Sequence, residues 1–131
     1  MTSEIILPDG WPAPRGYSNA ISATGKVIAL AGQVGWNPQT LEFESADFVE
    51  EVRAALLNVV AVLRAANAGP EHVVRLVWYI TDRDAYVTNV KAIGETYRNI
   101  FGRYYPAMSV VVVSALVEAK ARVEIEATAV V

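Results

Sequence analysis

The stretch ADFVEEVRAALLNVVAVLRAAN, Ala46 to Asn67, is the strongest helical pattern in the chain, and it decides the fold. Phe48, Val52, Leu56, Val59, Leu63 and Ala66 recur at spacings of three and four, which places them on one apolar stripe. Ser45 or Asp47 can cap the start, and Ala68-Gly69-Pro70 ends it. Such a stripe needs an apolar surface to lie on. The next segment, VVRLVWYI from Val73 to Ile80, is the β-branched and aromatic mixture of a strand.

Outward from this pair the pattern repeats. Asp82 or Asp84 can cap a second helix running to about Phe101, with Tyr86, Val90, Ile93, Tyr97 and Ile100 as its stripe and Gly102 at its stop. Met108 to Leu116 and Arg122 to Val130 read as two final strands forming a long hairpin. In the last strand Val123, Ile125 and Ala127 alternate with Arg122, Glu124 and Glu126, so one face is apolar and the other charged. Toward the N-terminus, Ile5 to Leu7 reads as an edge strand ended by Pro8-Asp9-Gly10. Ala20 to Ala23 and Val27 to Gly32 flank Thr24-Gly25-Lys26, the signature of a hairpin turn with Gly25 at positive φ. The order is β-β-β-α-β-α-β-β, an α+β fold with two helices on one face of a mixed sheet.

A chain of 131 residues is expected to be one domain, residues 1–131. With 53% hydrophobic and only 19% charged residues, it has more apolar surface than a small core hides, which points to self-association. A net charge of −3 without a basic run argues against nucleic acid as a partner. No apolar run reaches the ~18 residues of a membrane span, and the Met1-Thr2-Ser3-Glu4 start lacks a signal peptide's basic region, so a cytoplasmic location is expected. There is no Cys, and His72 is the only His, which leaves no typical zinc set and no thiolate nucleophile. Neither a metal nor a cofactor is implied.

Several stretches share an outside likeness. They are Pro14-Arg15-Gly16-Tyr17-Ser18-Asn19-Ala20, Leu30-Ala31-Gly32-Gln33-Val34-Gly35, Ala55 to Gly69, Val73 to Asp84, and Tyr105-Pro106-Ala107-Met108-Ser109 followed by Val123-Glu124-Ile125-Glu126-Ala127. In this order, over nearly the whole chain, they resemble the Rid (YjgF, reactive-intermediate deaminase) family. The resemblance implies a chorismate-mutase-like fold, a homotrimer with sheets inward and helices outward, and small-molecule clefts between subunits. It also implies that Tyr17 lines the cleft, that Glu124 holds the attacking water, and that Asn89 falls where the second helix commonly carries Asn. Met108 departs from the pattern, because active members carry there the Arg that grips the substrate carboxylate. Ala31 replaces a Ser. Leu116 to Glu124 is one residue longer than usual, and a one-residue slip would turn Glu124 to the other face.

The residues allow this chemistry and also duller roles. Tyr17 can stack on a planar substrate and donate a hydrogen bond, or merely cover a sheet edge. Glu124 can orient water and take its proton, or be a solvated strand charge beside Glu126. Gly32 and Gln33 end a strand where a ligand can approach backbone N–H groups, or where packing is simply close. Met108 turns the pocket from anion-binding to apolar, and Arg15, Arg103 or Arg122 are the candidate replacement cations. Trp36 can add aromatic surface or plug a core. The final strands of one subunit are expected to bring Met108, and with it Glu124, to one cleft. Two readings follow. One is a hydrolytic deaminase acting on enamine, imine or related planar metabolites, with Glu124 catalytic and Tyr17, Gly32, Gln33, Asn89 and Met108 binding substrate. The other is a non-catalytic trimer that binds a small molecule at the same clefts.

Overall fold

The computed structural model describes residues 2–131; Met1, the first residue of the stretch read above for a signal peptide's basic region, lies outside the described residues. In chain order the elements are β1 (Thr2–Ile6), β2 (Ala20–Thr24), β3 (Val27–Val34), α1 (Phe48–Ala65), a 3-10 turn (Pro70–His72), β4 (Val73–Ile80), α2 (Arg83–Thr88), α3 (Val90–Phe101), β5 (Ala107–Val112) and β6 (Val123–Val130). This is the α+β order read from the pattern, with six strands and three α-helices among the described residues.

The α1 stripe is buried from Phe48 to Leu63, and Asp47 is its cap, accepting the Glu50 N–H at 3.0 Å. Each fully buried Leu or Val on it contributes about 1.5–3 kcal/mol. The second helix is divided at Asn89. The Asn89 side-chain amide donates to the Ala85 carbonyl at 2.8 Å, the local competition that makes Asn a poor interior helix residue.

Strand partners differ from the sequence reading in two places. The main sheet has the order β3-β6-β4-β5, with β4 and β5 parallel and the other pairs antiparallel. The last two strands are therefore not a hairpin, because β4 lies between them. β5 also stops at Val112 rather than Leu116, since β4 ends at Ile80 and only the Val113 N–H still reaches that ladder. Nor do β2 and β3 pair across Gly25: β2 pairs with β1 in a separate ribbon, and β3 pairs with β6. Gly25 has φ 150°, and a Cβ there would lie 2.4 Å from the Val131 carbonyl oxygen. Its bareness lets Lys26 and Val131 exchange backbone hydrogen bonds of 2.7 and 2.9 Å and lock β3 beside the C-terminus.

The strand register sorts the side chains onto two faces. Leu76, Trp78 and Ile80 of β4 share the inner face with Met108 and Val110 of β5 and Val123, Ile125 and Ala127 of β6, and pack with α1 and α3. Arg75, Val77 and Tyr79 look the other way, beside Glu126 and Glu124 of β6 and Ser109 and Val111 of β5. No helix among those described is long and apolar enough to cross a membrane.

The core makes stability depend on alkaline pH. Burial, reinforced by neighbouring Tyr105, pushes the Tyr97 phenol well above its ordinary value, and burial raises Tyr86. Below about pH 10 folded and unfolded chains both keep these protons; above it only the unfolded chain releases them, so stability falls as pH rises. Thermal unfolding followed between about pH 8 and pH 11 should show the midpoint declining only above about pH 10. The decline should be shallower in Tyr97→Phe. An equally steep decline in that variant would locate the effect elsewhere.

Candidate functional site

A cavity of about 520 Å³ opens between the inner face of β4 and β5 and the helices α2 and α3. Its base is apolar: Trp78, Ile93 and Tyr97 are buried, and Met108 and Val110 are half-buried against the core. Trp78 meets Tyr86 edge-on, with ring centroids 6.3 Å apart, and Tyr97 stacks on Tyr105 at 5.6 Å. The Tyr97 hydroxyl donates to the Tyr104 carbonyl, which fixes that stack at the start of β5. The Trp78 indole N–H is buried without a hydrogen-bond acceptor among the described residues, an uncommon state for a buried donor.

The mouth is built by the loop before β2 and by α3. Gly16, at φ 78°, turns the chain. Ser18 then anchors it, its N–H donating to the Pro106 carbonyl at 3.0 Å and its hydroxyl to the carbonyl of Tyr105. This bridge beside Ala107 sets Arg15 and Tyr17 on the cavity wall. Arg98 reaches the same wall from α3 by folding back over Gly94, where a Cβ would lie 3.3 Å from its Nη1. Arg15 and Arg98 are exposed, make no ion pair among the described residues, and share the cavity with no Asp or Glu.

Of the residues singled out in the sequence, Tyr17, Met108 and the candidate cation Arg15 come together here. Glu124 does not join them. It lies on the opposite face of the sheet, so one chain does not present Met108 and Glu124 to one cleft; strand alternation sends them apart. Glu124 lies against Gly32, where an added Cβ would fall 2.3 Å from its Oε2. Gly32 is thus the space that the Glu124 carboxylate fills. Nearby, the Tyr79 hydroxyl donates to Glu126 Oε1 at 2.6 Å. That hydrogen bond, then desolvation and the charges of Glu126 and Glu124, raise the Tyr79 phenol against the opposing effect of Arg75.

The other candidates are engaged elsewhere. Gln33 donates to the Ala31 carbonyl of its own strand at 3.1 Å, and Asn89 is held in the helix joint instead of lining the cavity. Arg103 borders a groove with Ile5 and Ile21. Arg122 is bound to Glu51, its Nε 3.1 Å from Oε1. Trp36 packs on Phe43 at 6.1 Å and lines a different hollow from Met108. His72 accepts the Gly69 N–H at 3.0 Å and caps its turn. The sequence reading missed Arg98, and it took Tyr86 and Tyr97 as core only. The available signal was Gly94, a helix-weakening residue four positions before an Arg.

Comparison with known proteins gives a consistent picture. The family model described as Endoribonuclease L-PSP matches residues 11–131. A RutC family protein of Pyrococcus horikoshii is 34% identical over 127 residues, 96% of either chain. A 2-iminobutanoate/2-iminopropanoate deaminase of Capra hircus is 32% identical over 131 residues, 99% of this chain and 91% of that one. A solved protein of the conserved Rid family from Yersinia pestis superposes with a TM-score of 0.87 at 32% identity, over 100% of both chains. The family match across nearly the whole chain, the Rid-like fold and the convergence of Tyr17 and Met108 on one cavity have one common account: the chain belongs to the Endoribonuclease L-PSP family, the Rid (YjgF) group.

Proposed function

We propose that this protein is a hydrolytic deaminase of imine or enamine metabolites, working as a homotrimer at clefts shared by two copies, in the cytoplasm and without a metal or cofactor. One copy supplies the cavity of Tyr17 and Met108, and its neighbour supplies Glu124 and Gly32. The observation that carries this reading is the division of these residues between the two faces of one sheet. A single chain holds two half-sites back to back, and only a second copy completes either. Similarity to a deaminase named for 2-iminobutanoate supports the reaction class.

In this arrangement the substrate lies against Tyr17, and the Gly32 N–H donates to a substrate oxygen. Glu124 orients a water molecule and takes its proton as the oxygen attacks the C=N carbon. That proton passes to nitrogen and gives a carbinolamine; the hydroxyl proton then follows to nitrogen as the C–N bond breaks, and a ketone and ammonia leave. Met108 gives the substrate an apolar contact where a charged clamp would otherwise sit.

Mixing tests the reading. Tyr17→Ala and Glu124→Gln homotrimers should both be nearly inactive. Co-refolded mixtures should regain activity, because roughly a quarter of the clefts then hold both intact halves. Light scattering that finds a monomer, or mixtures no better than their parents, would overturn the shared site. Ligand binding with no turnover of any imine would favour the non-catalytic binding protein. Gly32→Ala should keep the fold and lose turnover, since the new methyl displaces the Glu124 carboxylate; unchanged turnover would remove Glu124 from the chemistry.

A further inference from the structure

The cavity has a polarity that the reaction class alone does not explain. Its buried end is apolar and aromatic, with Trp78, Val110 and Met108, and holds an indole N–H that lacks an acceptor. Its exposed end carries Arg98 and Arg15 with no carboxylate among the lining residues. Gly94 gives the Arg98 guanidinium room to lie on the helix at that end. A small 2-imino acid has nothing with which to fill the base. One with an aromatic or long branched side chain does, and its carboxylate then falls at the mouth.

We infer that Arg98, assisted by Arg15, is the carboxylate clamp of this site, and that it selects 2-imino acids with bulky apolar side chains bound side chain inward. The inference rests on the proposed deaminase site and names its substrate class. The orientation is self-consistent. The C=N carbon is bonded to the carboxylate carbon, so a carboxylate held at the mouth also keeps the reacting carbon there, where a neighbouring copy can reach it. The apolar side chain meanwhile covers Met108 and Val110 and removes their surface from water. A carboxylate near Arg98 replaces bulk water with a charge-assisted, two-pronged contact.

The test is calorimetric titration of the intact oligomer with phenylpyruvate, 2-oxobutyrate and the uncharged phenylacetone. Wild type should bind phenylpyruvate more tightly than 2-oxobutyrate. Arg98→Gln should weaken phenylpyruvate roughly 10- to 100-fold and leave phenylacetone unchanged. Arg98→Lys should recover part of the loss, and the wild-type advantage should shrink with salt. In steady-state assays of the imine of phenylpyruvate, Arg98→Gln should raise KM more than it lowers kcat. Phenylpyruvate bound equally well by wild type and Arg98→Gln, with hydrolysis intact, would overturn the Arg98 assignment while leaving the deaminase reading in place. Failure of wild type to bind either oxo acid or phenylacetone would overturn the cavity as the site, and the assignment with it.

Discussion

Met108→Arg is expected to raise the rate of 2-iminobutyrate hydrolysis by roughly thirty- to several-thousand-fold over wild type. Met108 sits on the inner face of β5, paired with Leu76 and half-buried at the cavity that Tyr17 lines. A guanidinium at this position would fork both oxygens of a small carboxylate, in surroundings where water competes weakly. Wild type has a thioether at this end and its arginines at the mouth, so a small 2-imino acid held there leaves the apolar base unfilled and its turnover should be weak. The gain should appear mainly in kcat/KM and shrink as salt is added. The measurement is imine hydrolysis with the imine generated in the assay, beside light scattering to show that assembly is unchanged. Equal rates for the two proteins would mean that an Arg introduced at position 108 does not reach the carboxylate of a small substrate.

The largest effect on stability is expected from Glu51→Ala. Glu51 is 3% exposed, and its Oε2 accepts the backbone N–H groups of Arg122 at 2.6 Å and Val123 at 3.2 Å. Its Oε1 meets Arg122 Nε at 3.1 Å. The same Arg reaches the Ala46 carbonyl and lies over the Phe48 ring at 5.5 Å. One carboxylate therefore ties the start of α1 to the start of β6. Removing it leaves two backbone donors with no partner, and the total loss should be about 3–5 kcal/mol, a fall of roughly 10–20 °C in Tm. Arg122→Ala should lose less, because the Arg122 side chain is 35% exposed and both backbone bonds to Glu51 survive. Thermal unfolding of the two variants decides the order. If Arg122→Ala is the worse of the two, the ion pair, and not the backbone bonds, holds the joint.

What the sequence made legible follows from where a pattern has a period. α1 could be read because its stripe, its Asp47 cap and its Gly69-Pro70 stop all agree. β6 could be read down to its faces, because apolar and charged residues alternate strictly from Val123 to Glu126. β5 could not. Val110 to Val113 is apolar throughout and has no period of two, so nothing in it says whether Met108 faces the helices or the side of Glu124. Pairing was hidden for a different reason. Alternation tells which face a residue takes but not which strand lies beside it, so Gly25 read as a hairpin turn when its bareness serves the contact with Val131. Arg98 was hidden because a charge on an exposed helix face ordinarily means only solvent. Its folding over Gly94 is a property of the three-dimensional surface.

Trp78 and Tyr79 are consecutive residues of β4, yet one lines the cavity and the other bonds Glu126 on the opposite face. In the ring proposed above, a defect in this one strand would be felt in both clefts that the subunit borders. A damaged copy mixed into an otherwise sound population should therefore poison more activity than its share of the protein.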